Sequence, residues 1–414
     1  MAEWEWKRWD AVARLGAGKL TMQEAATVLG LSVRQVRRIR RAVEGAGRAG
    51  LRHGNRGQVP VNKLRAAVRN RILRLRRTKY RDFNDQHFTE KLAQEAQPLV
   101  VAVRTVRRVL RAAGVGARRQ RRPPKHRRRR DRKPQAGLML LWDGSRHDWL
   151  EGRGPWLCLI GAIDDATGEL LAGAHFVEQE CAAGYLQVLH AVVTAHGVPW
   201  SIYMDQHGAL TRNDDHWTLA EELRGAQDPT QVGQALAALG IAAIYALSPQ
   251  AKGRVERLWG TLQDRLVSEL RLARARTAAE ANAVLARYRP EHNGRFAIPP
   301  SDATPAWRPL RPGTDLDRLC SFRYEATVRK DNAIRLGGMV LDIPPGPRGR
   351  SYADQRVEVR QLLDGSWRVY AADRLLATGA ATAHRELRAR RRRKGGRGAP
   401  ATVPPPPLLI EASP

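Results

Sequence analysis

The stretch SPQAKGRVERLWGTLQDRL, residues 248 to 266, decides how the middle of this chain is read. Ser248 can cap a helix, and Pro249 sits where the first turn has no N–H to lose. Val255, Leu258, Trp259, Leu262 and Leu266 then recur at helical spacing and predict an inward-facing stripe. Lys252 and Glu256, four residues apart, share a different face. Gly253 interrupts that turn, where alanine would serve a helix better. The stripe says that the helix packs on something. The glycine, the cation and the carboxylate at its start read, by themselves, as an exposed ion pair beside a tolerated glycine.

Working outward from that helix, apolar runs alternate with helical ones. GLMLLWDGS (137–145) is a short strand carrying Asp143, PWLCLIGAIDD (155–165) a second and ELLAGAHFV (169–177) a third. AAGYLQVLHAVVTAHG (182–197) is an amphipathic helix, and SIYMDQ (201–206) a strand leading into Asp205. QVGQALAALG (231–240) reads as a helix, IAAIYAL (241–247) as a strand, and the opening helix follows. The order β-β-β-α-β-α-β-α predicts an α/β layer with a mixed sheet over residues 136–300. HGALTRNDDHWTLAEELRGAQDPT (207–230) is polar and reads as an insertion at the edge of that sheet.

Asp143 and Asp205 each end a predicted strand, and Glu256 lies about a turn into the helix after the last one. If the two strands are neighbours, both aspartates meet at one edge, and a helix packed across it adds the glutamate. Three carboxylates at one point repel each other unless divalent metal neutralises them. Oxygen ligands suit Mg²⁺, and two such ions can activate a water or 3′-hydroxyl and stabilise the oxygen leaving a phosphodiester. Among the other acids, Asp148 reads as part of a turn. Asp164-Asp165-Ala-Thr-Gly reads as a turn too, and Asp214-Asp215-His216 as a solvated loop. His207, two residues after Asp205, can be read as a group beside the metals or as a loop histidine.

The chain has 414 residues, enough at roughly 150 per domain for about three domains. Its 72 Lys plus Arg outnumber 41 Asp plus Glu, a formal charge of +31 that calls for a polyanionic partner, by default nucleic acid. The cysteines, Cys158, Cys181 and Cys320, lie far apart with no CxxC pair, so neither a zinc knuckle nor a disulfide framework is expected. The first residues carry charge throughout instead of a signal-peptide apolar region. No run approaches the ~20 apolar residues of a membrane span. A cytoplasmic, nucleoid-associated protein with no membrane contact is expected.

Before the α/β segment, residues 1–47 read as three helices containing a helix-turn-helix. Ala25, Ala26, Val28 and Leu29 face inward from one helix, Gly30 and Leu31 turn, and Ser32 caps the next. On that second helix Val33, Val36 and Ile39 face inward, while Arg34, Gln35, Arg37, Arg38 and Arg40 face outward for the major groove. A second helical DNA-binding unit spans 61–114 and presents Arg104, Arg107 and Arg108. The arm at 117–134, ARRQRRPPKHRRRRDRKP, sets eleven Lys or Arg against one aspartate and can form no core. It reads as a phosphate clamp. After the α/β segment come a helix at 277–289, a Pro-rich linker, and alternating strands over 318–378 that predict a small β-barrel, with Asp364-Gly365 as a hairpin signal. The tail, 381–414, is basic, Pro-rich and expected to be disordered.

SPQAKGRVERLWGTLQDRLVSELRL (248–272), with YMDQHGAL (203–210) and LWDGSRHDWLE (141–151) before it, resembles the DDE transposases of bacterial insertion sequences, the ISNCY-type group in particular. These share the integrase catalytic core of retroviral integrases. GLSVRQVRRIRRAVEGAGRAGLRHGNRG (30–57), YRDFNDQHFTEKLAQE (80–95) and RTVRRVLRAAG (104–114) resemble the same family, so the likeness runs over most of residues 15 to 310. It implies an RNase H-like core with Asp143, Asp205 and Glu256 as catalytic, metal-binding triad for two Mg²⁺, with Mn²⁺ able to substitute. It implies DNA contacts from Ser32, Arg34, Gln35, Arg37, Arg38, Arg104, Arg107, Arg108, Lys252 and Arg254, and room left at Gly253 for the DNA backbone that Lys252 grips. The chain departs from retroviral integrases in a longer Asp205-to-Glu256 interval (256 − 205 = 51) and in having helix-turn-helix units instead of a zinc module. The implied activity is cleavage at the ends of the element and joining of 3′-hydroxyls to target DNA, with double-stranded DNA at element ends and target as partner and a homo-oligomer on it. The competing class is a non-catalytic, sequence-specific DNA-binding protein such as a repressor or domesticated relative. A nuclease without strand transfer is a third reading.

Overall fold

The computed structural model describes residues 3–52, 63–118, 123, 130–212, 217–246, 253–384 and 387. They fall into two compact units, Met1–Arg74 and Leu75–Pro414. The expected Lys252, most of the basic arm, the Asp214-Asp215-His216 stretch and most of the tail lie outside the described residues.

In the first unit, α1 (Glu3–Gly16), α2 (Met22–Leu29) and α3 (Val33–Ala46) form the expected helix-turn-helix. Thr21 and Glu24 form a capping box at the start of α2, and Gly30 ends it with a left-handed φ of 62°. Ser32 and Gln35 form a second box at the start of α3. Ala25, Ala26 and Val36 are buried against Leu15, Met22, Leu29, Leu31 and Val33. Val28, expected inside, is 69% exposed. At 100° per residue it lies about 110° from the centre of the arc made by residues 22, 25, 26 and 29, outside the buried stripe.

Helix α4 (Ala66–Thr78) leads into the second unit, which continues with α5 (Asp85–Ala93) and α6 (Val103–Ala112). The α/β core follows as β1 (Met139–His147), β2 (Leu157–Asp164), β3 (His175–Val177), α7 (Ala182–His196), β4 (Ser201–Met204), α8 (Leu219–Arg224), α9 (Gln231–Ala238), β5 (Ala242–Tyr245), α10 (Gly253–Leu272) and α11 (Ala278–Phe296). Among the described residues its sheet has five strands in the order β3-β2-β1-β4-β5. The strands β1, β2 and β3 pair antiparallel, and β4 and β5 run parallel to β1. This is the mixed sheet the element order predicts.

Side chains alternate across the sheet and build a core on each face. Leu140, Trp142, Cys158 and Ile160 face α7 and α9, while Met139, Leu141, Leu157 and Leu159 face α10 and α11. The stripe read in the opening stretch packs this second face: Val255, Trp259, Leu262 and Leu266 are buried, with Leu258 half-buried beside them.

Helix α5 is joined to the far half of α10 by charged contacts. Arg265 pairs with Glu90 at 2.7 Å, and Glu269 receives His87 at 2.7 Å and Lys91 at 2.8 Å. Burial would raise the Glu269 carboxyl, but the His87 and Lys91 contacts outweigh it and hold it below its ordinary range.

After α12 (Leu316–Leu319), the chain forms β6 (Phe322–Thr327), β7 (Ala333–Leu336), β8 (Met339–Asp342), β9 (Arg356–Gln361), β10 (Trp367–Ala371) and β11 (Arg374–Gly379). The strands are where alternation predicts them, and Gly365 turns the β9–β10 hairpin at a φ of 85°. The expected barrel is corrected, however. Among the described residues β11-β10-β9-β6 is an open sheet and β7-β8 a separate hairpin, with no pairing that closes a ring. Val328, Ile334, Val357, Val359 and Trp367 fill the space between them. Among the described residues no helix is long and apolar enough to cross a membrane.

Candidate active site

Asp143 lies in β1, and Asp205 directly follows β4. The parallel register pairs Met139 with Ser201, Leu140 with Ile202 and Leu141 with Tyr203. The offset is constant (201 − 139 = 62), and 205 − 143 is also 62, so continuing the register sets the two aspartates at one level. Alternation also decides their face. Met139 and Leu141 point toward α10, as does the half-buried Tyr203, and Asp143 and Asp205 are the next members of those two series. Helix α10 confirms the direction: the Trp259 indole N–H donates to Asp143 Oδ2 at 2.8 Å, and Gln263 donates to Ser145 Oγ at 3.2 Å. Glu256, three residues before Trp259 and seven before Gln263, belongs to the same helical face. Its side chain is exposed in the first turn.

The donor set is all carboxylate oxygen, which fits a hard divalent cation. Among the described residues, though, no three of His, Cys, Asp and Glu converge to hold a metal ion. Glu256 lies in a turn that directly follows the undescribed residues 247–252. A Cβ at Gly253 would meet nothing within 4 Å, so nothing in the described chain itself demands glycine there.

Glu180, which no local sequence pattern singles out, lies next to this edge. A Cβ built on Gly144 would come within 2.6 Å of the Glu180 carboxyl carbon. Glu180 accepts from the Tyr185 hydroxyl at 2.5 Å and lies 3.6 Å from His207 Nδ1. That nitrogen also accepts from the Ala209 N–H at 3.3 Å. Burial, then Glu180 and Asp143, pushes the Cys158 thiol up to about 12, and burial raises the Tyr185 hydroxyl well above its ordinary value. Neither side chain ionises near neutral pH, so neither supplies an anionic nucleophile. A cavity of about 390 Å³ opens between Glu180, His207 and the C-terminal residues Phe322 and His384.

The expected DNA contacts divide by environment. Arg34, Arg37 and Arg38 are exposed on α3, whereas Ser32 and Gln35 hold each other in the capping box. Arg104, Arg107 and Arg108 are exposed on α6. Arg254 is engaged within the chain, where it binds Asp165 and the Arg130 carbonyl. Asp165 is no simple turn residue. It is wholly buried, and Arg130, the Lys133 N–H and Arg254 hold its carboxyl below the ordinary range against the opposing effect of burial. The doublet of acids at the end of the apolar run is the one sequence signal that marks it.

The Winged helix-turn helix family matches residues 8–70 of the chain. A putative transposase y4bF of Sinorhizobium fredii is 35% identical over 377 residues, covering 87% of this chain and 79% of the relative. The transposase for insertion sequence IS1202 of Streptococcus pneumoniae is 32% identical over 329 residues, covering 70% of this chain and 68% of the relative. Among solved structures, a simian T-cell lymphotropic virus intasome in complex with a PP2A regulatory subunit is similar at 13% identity and a TM-score of 0.31, over 76% of this chain and all of that one. The HTLV-2 integrase catalytic core with magnesium is similar at 15% identity and a TM-score of 0.26, over 37% of this chain and 86% of that one. The chain thus carries a helix-turn-helix unit and an α/β core with a mixed five-stranded sheet. The chain belongs to the transposases of bacterial insertion sequences.

Proposed function

We propose that this chain cleaves DNA at the ends of its own element and joins the freed 3′-hydroxyls to target DNA, with Asp143, Asp205 and Glu256 as ligands for two Mg²⁺ ions. The observation that carries this reading is the common level and common face of Asp143 and Asp205, opposite the helix that bears Glu256. Bound there, the metal ions supply activation of a water or 3′-hydroxyl and neutralise charge on the phosphodiester. The chain does the positioning. Trp259 fixes one oxygen of Asp143, and the buried stripe of α10 holds Glu256 on the facing side. The Arg34, Arg37 and Arg38 face reads the terminal repeats, and the arginines of α6 and the basic arm bind phosphates. Two ends are joined in one event, so the working form is an oligomer on DNA in the cytoplasm.

The test is a mini-element carrying the terminal repeats, with the chain supplied in trans. Insertion into a target plasmid is expected, and absence of excision and insertion alike would leave only the DNA-binding reading.

Two predictions belong to the binding parts. Arg34→Ala should weaken binding to the element end by about 1–3 kcal/mol for each base it no longer reads, and change binding to unrelated DNA less. Equal weakening on both DNAs in a gel-shift titration at fixed salt would count against base reading. Deleting residues 118–129 should flatten the dependence of log affinity on log salt by about 0.9 for each phosphate left unneutralised. An unchanged slope would reduce the arm to a linker.

A further inference from the structure

Two neighbouring aspartates, Asp164 at the end of β2 and Asp165 just after it, do different work. Asp164 suffices for the turn. Its Oδ1 accepts from the N–H groups of Ala166 at 2.9 Å and Thr167 at 3.0 Å, and its Oδ2 accepts from the Gly137 N–H at 2.7 Å. Asp165 has no part in that turn chemistry. Its carboxylate is fully buried, and it gathers donors from two distant parts of the chain.

From the described end of the basic arm, Arg130 donates through Nη2 at 2.6 Å and Nη1 at 3.3 Å, and the Lys133 N–H donates at 2.8 Å. From the first turn of α10, Arg254 donates through Nη1, while its Nη2 donates to the Arg130 carbonyl. Arg132 closes the arrangement from behind, with Nη1 donating to the Asp165 carbonyl at 2.9 Å. A planar guanidinium bound at both ends has little freedom left. Arg254 stands two residues before Glu256, at the end of the helix where backbone N–H groups have no partner within the helix and fraying begins. The buried stripe starts only at Val255. Within the first turn of α10 the stripe contributes Val255 alone, and Arg254 adds a second anchor to the same turn.

We propose that Asp165 is a positioning residue which, through Arg254, fixes the first turn of α10 and so the direction in which Glu256 is presented, and through Arg130 ties the exit of the basic arm to the same point. The inference rests on the reading of Glu256 as a metal ligand. One buried carboxylate then couples the part of the chain that grips phosphates to the turn that completes the active site.

Hydrogen exchange on the full-length protein tests this directly. In Asp165→Asn and in Arg254→Gln, amides at 253–258 should exchange about tenfold faster, while those of β1 and β2 keep their protection. The Mg²⁺ concentration for half-maximal joining should rise in the same two variants, with activity lowered about 10–100-fold as for other residues that orient a ligand. The double variant should be no worse than the more affected single one, since both substitutions remove one tether. Unchanged exchange at 253–258 overturns the proposal, as does faster exchange spread equally over β1 and β2. If Asp165→Asn does not fold, Arg254→Gln decides alone, because Arg254 is not itself buried. Exchange does not depend on Glu256, so an active Glu256→Gln protein would overturn the ligand assignment and leave the exchange result to decide the tether.

Discussion

Asp143→Asn, Asp205→Asn and Glu256→Gln are each expected to lower cleavage and joining by about a thousandfold or more while leaving binding to the element end intact. Each change nearly preserves shape and removes the negative charge that draws a divalent cation. Loss of one ligand misplaces the ions and forfeits several kcal/mol of transition-state stabilisation, which is at least about three decades in rate. Both steps should fall together, because one site serves both. Binding should survive because the α3 face contains none of the three residues. Asp148→Asn is the matched control. Asp148 accepts from the Gly152 N–H at 3.0 Å in a local turn, and its loss should leave activity near that of the unaltered chain. Trp259→Phe should fall between these limits, since it frees one oxygen of Asp143 and keeps the carboxylate. Substantial joining by the Glu256→Gln protein would sink the triad.

Leu266→Ala is expected to destabilise the second unit by about 2–5 kcal/mol. Leu266 is fully buried in the layer between the sheet and α11, where the deleted carbons leave a cavity that the rigid sheet cannot fill. The check is urea unfolding, in which the midpoint should drop with little change in slope. Val28→Ala on α2 is the informative contrast. That side chain is 69% exposed despite its apolar character, so its removal should cost no more than about 0.5 kcal/mol. Equal costs at the two positions would contradict the burial on which the account of α10 rests.

What could be read in advance divides along the range of the interactions. Asp143 and Asp205 stand out in the sequence because each follows an uninterrupted apolar run; Asp205 does directly follow its strand, but β1 continues past Asp143 to His147, so the expected strand end there is corrected. The α10 stripe was legible because its period is local as well. The relation between the two aspartates needed only the assumption that their strands are neighbours, which the register bears out. The β-barrel was not legible. Alternation marks strands, but closure depends on which edges pair, and β6 pairs with β9 while β11 pairs with β10. Val28 differs for a related reason: the apolar residues 25, 26, 28 and 29 suggest one face, although the helix turns Val28 away from it. The roles of Asp165 and Glu180 are not legible in the sequence, because they come from partners far along the chain. Arg254 is 89 residues from Asp165, and Gly144 is 36 from Glu180 (254 − 165 and 180 − 144). No local pattern encodes such a pairing. Its position in a motif suggests Arg254 as a DNA contact, and that position carries no sign of the buried carboxylate that Arg254 binds.

The most direct measurement supplies the purified chain with a labelled element end bearing a free 3′-hydroxyl, a supercoiled target and Mg²⁺, and follows the label by gel. The account predicts that label moves into the target only when Mg²⁺ is present, and that Asp205→Asn abolishes this movement while retaining end binding. Tight end binding without any joining would contradict it, and so would target cutting in which the labelled 3′-hydroxyl never becomes attached.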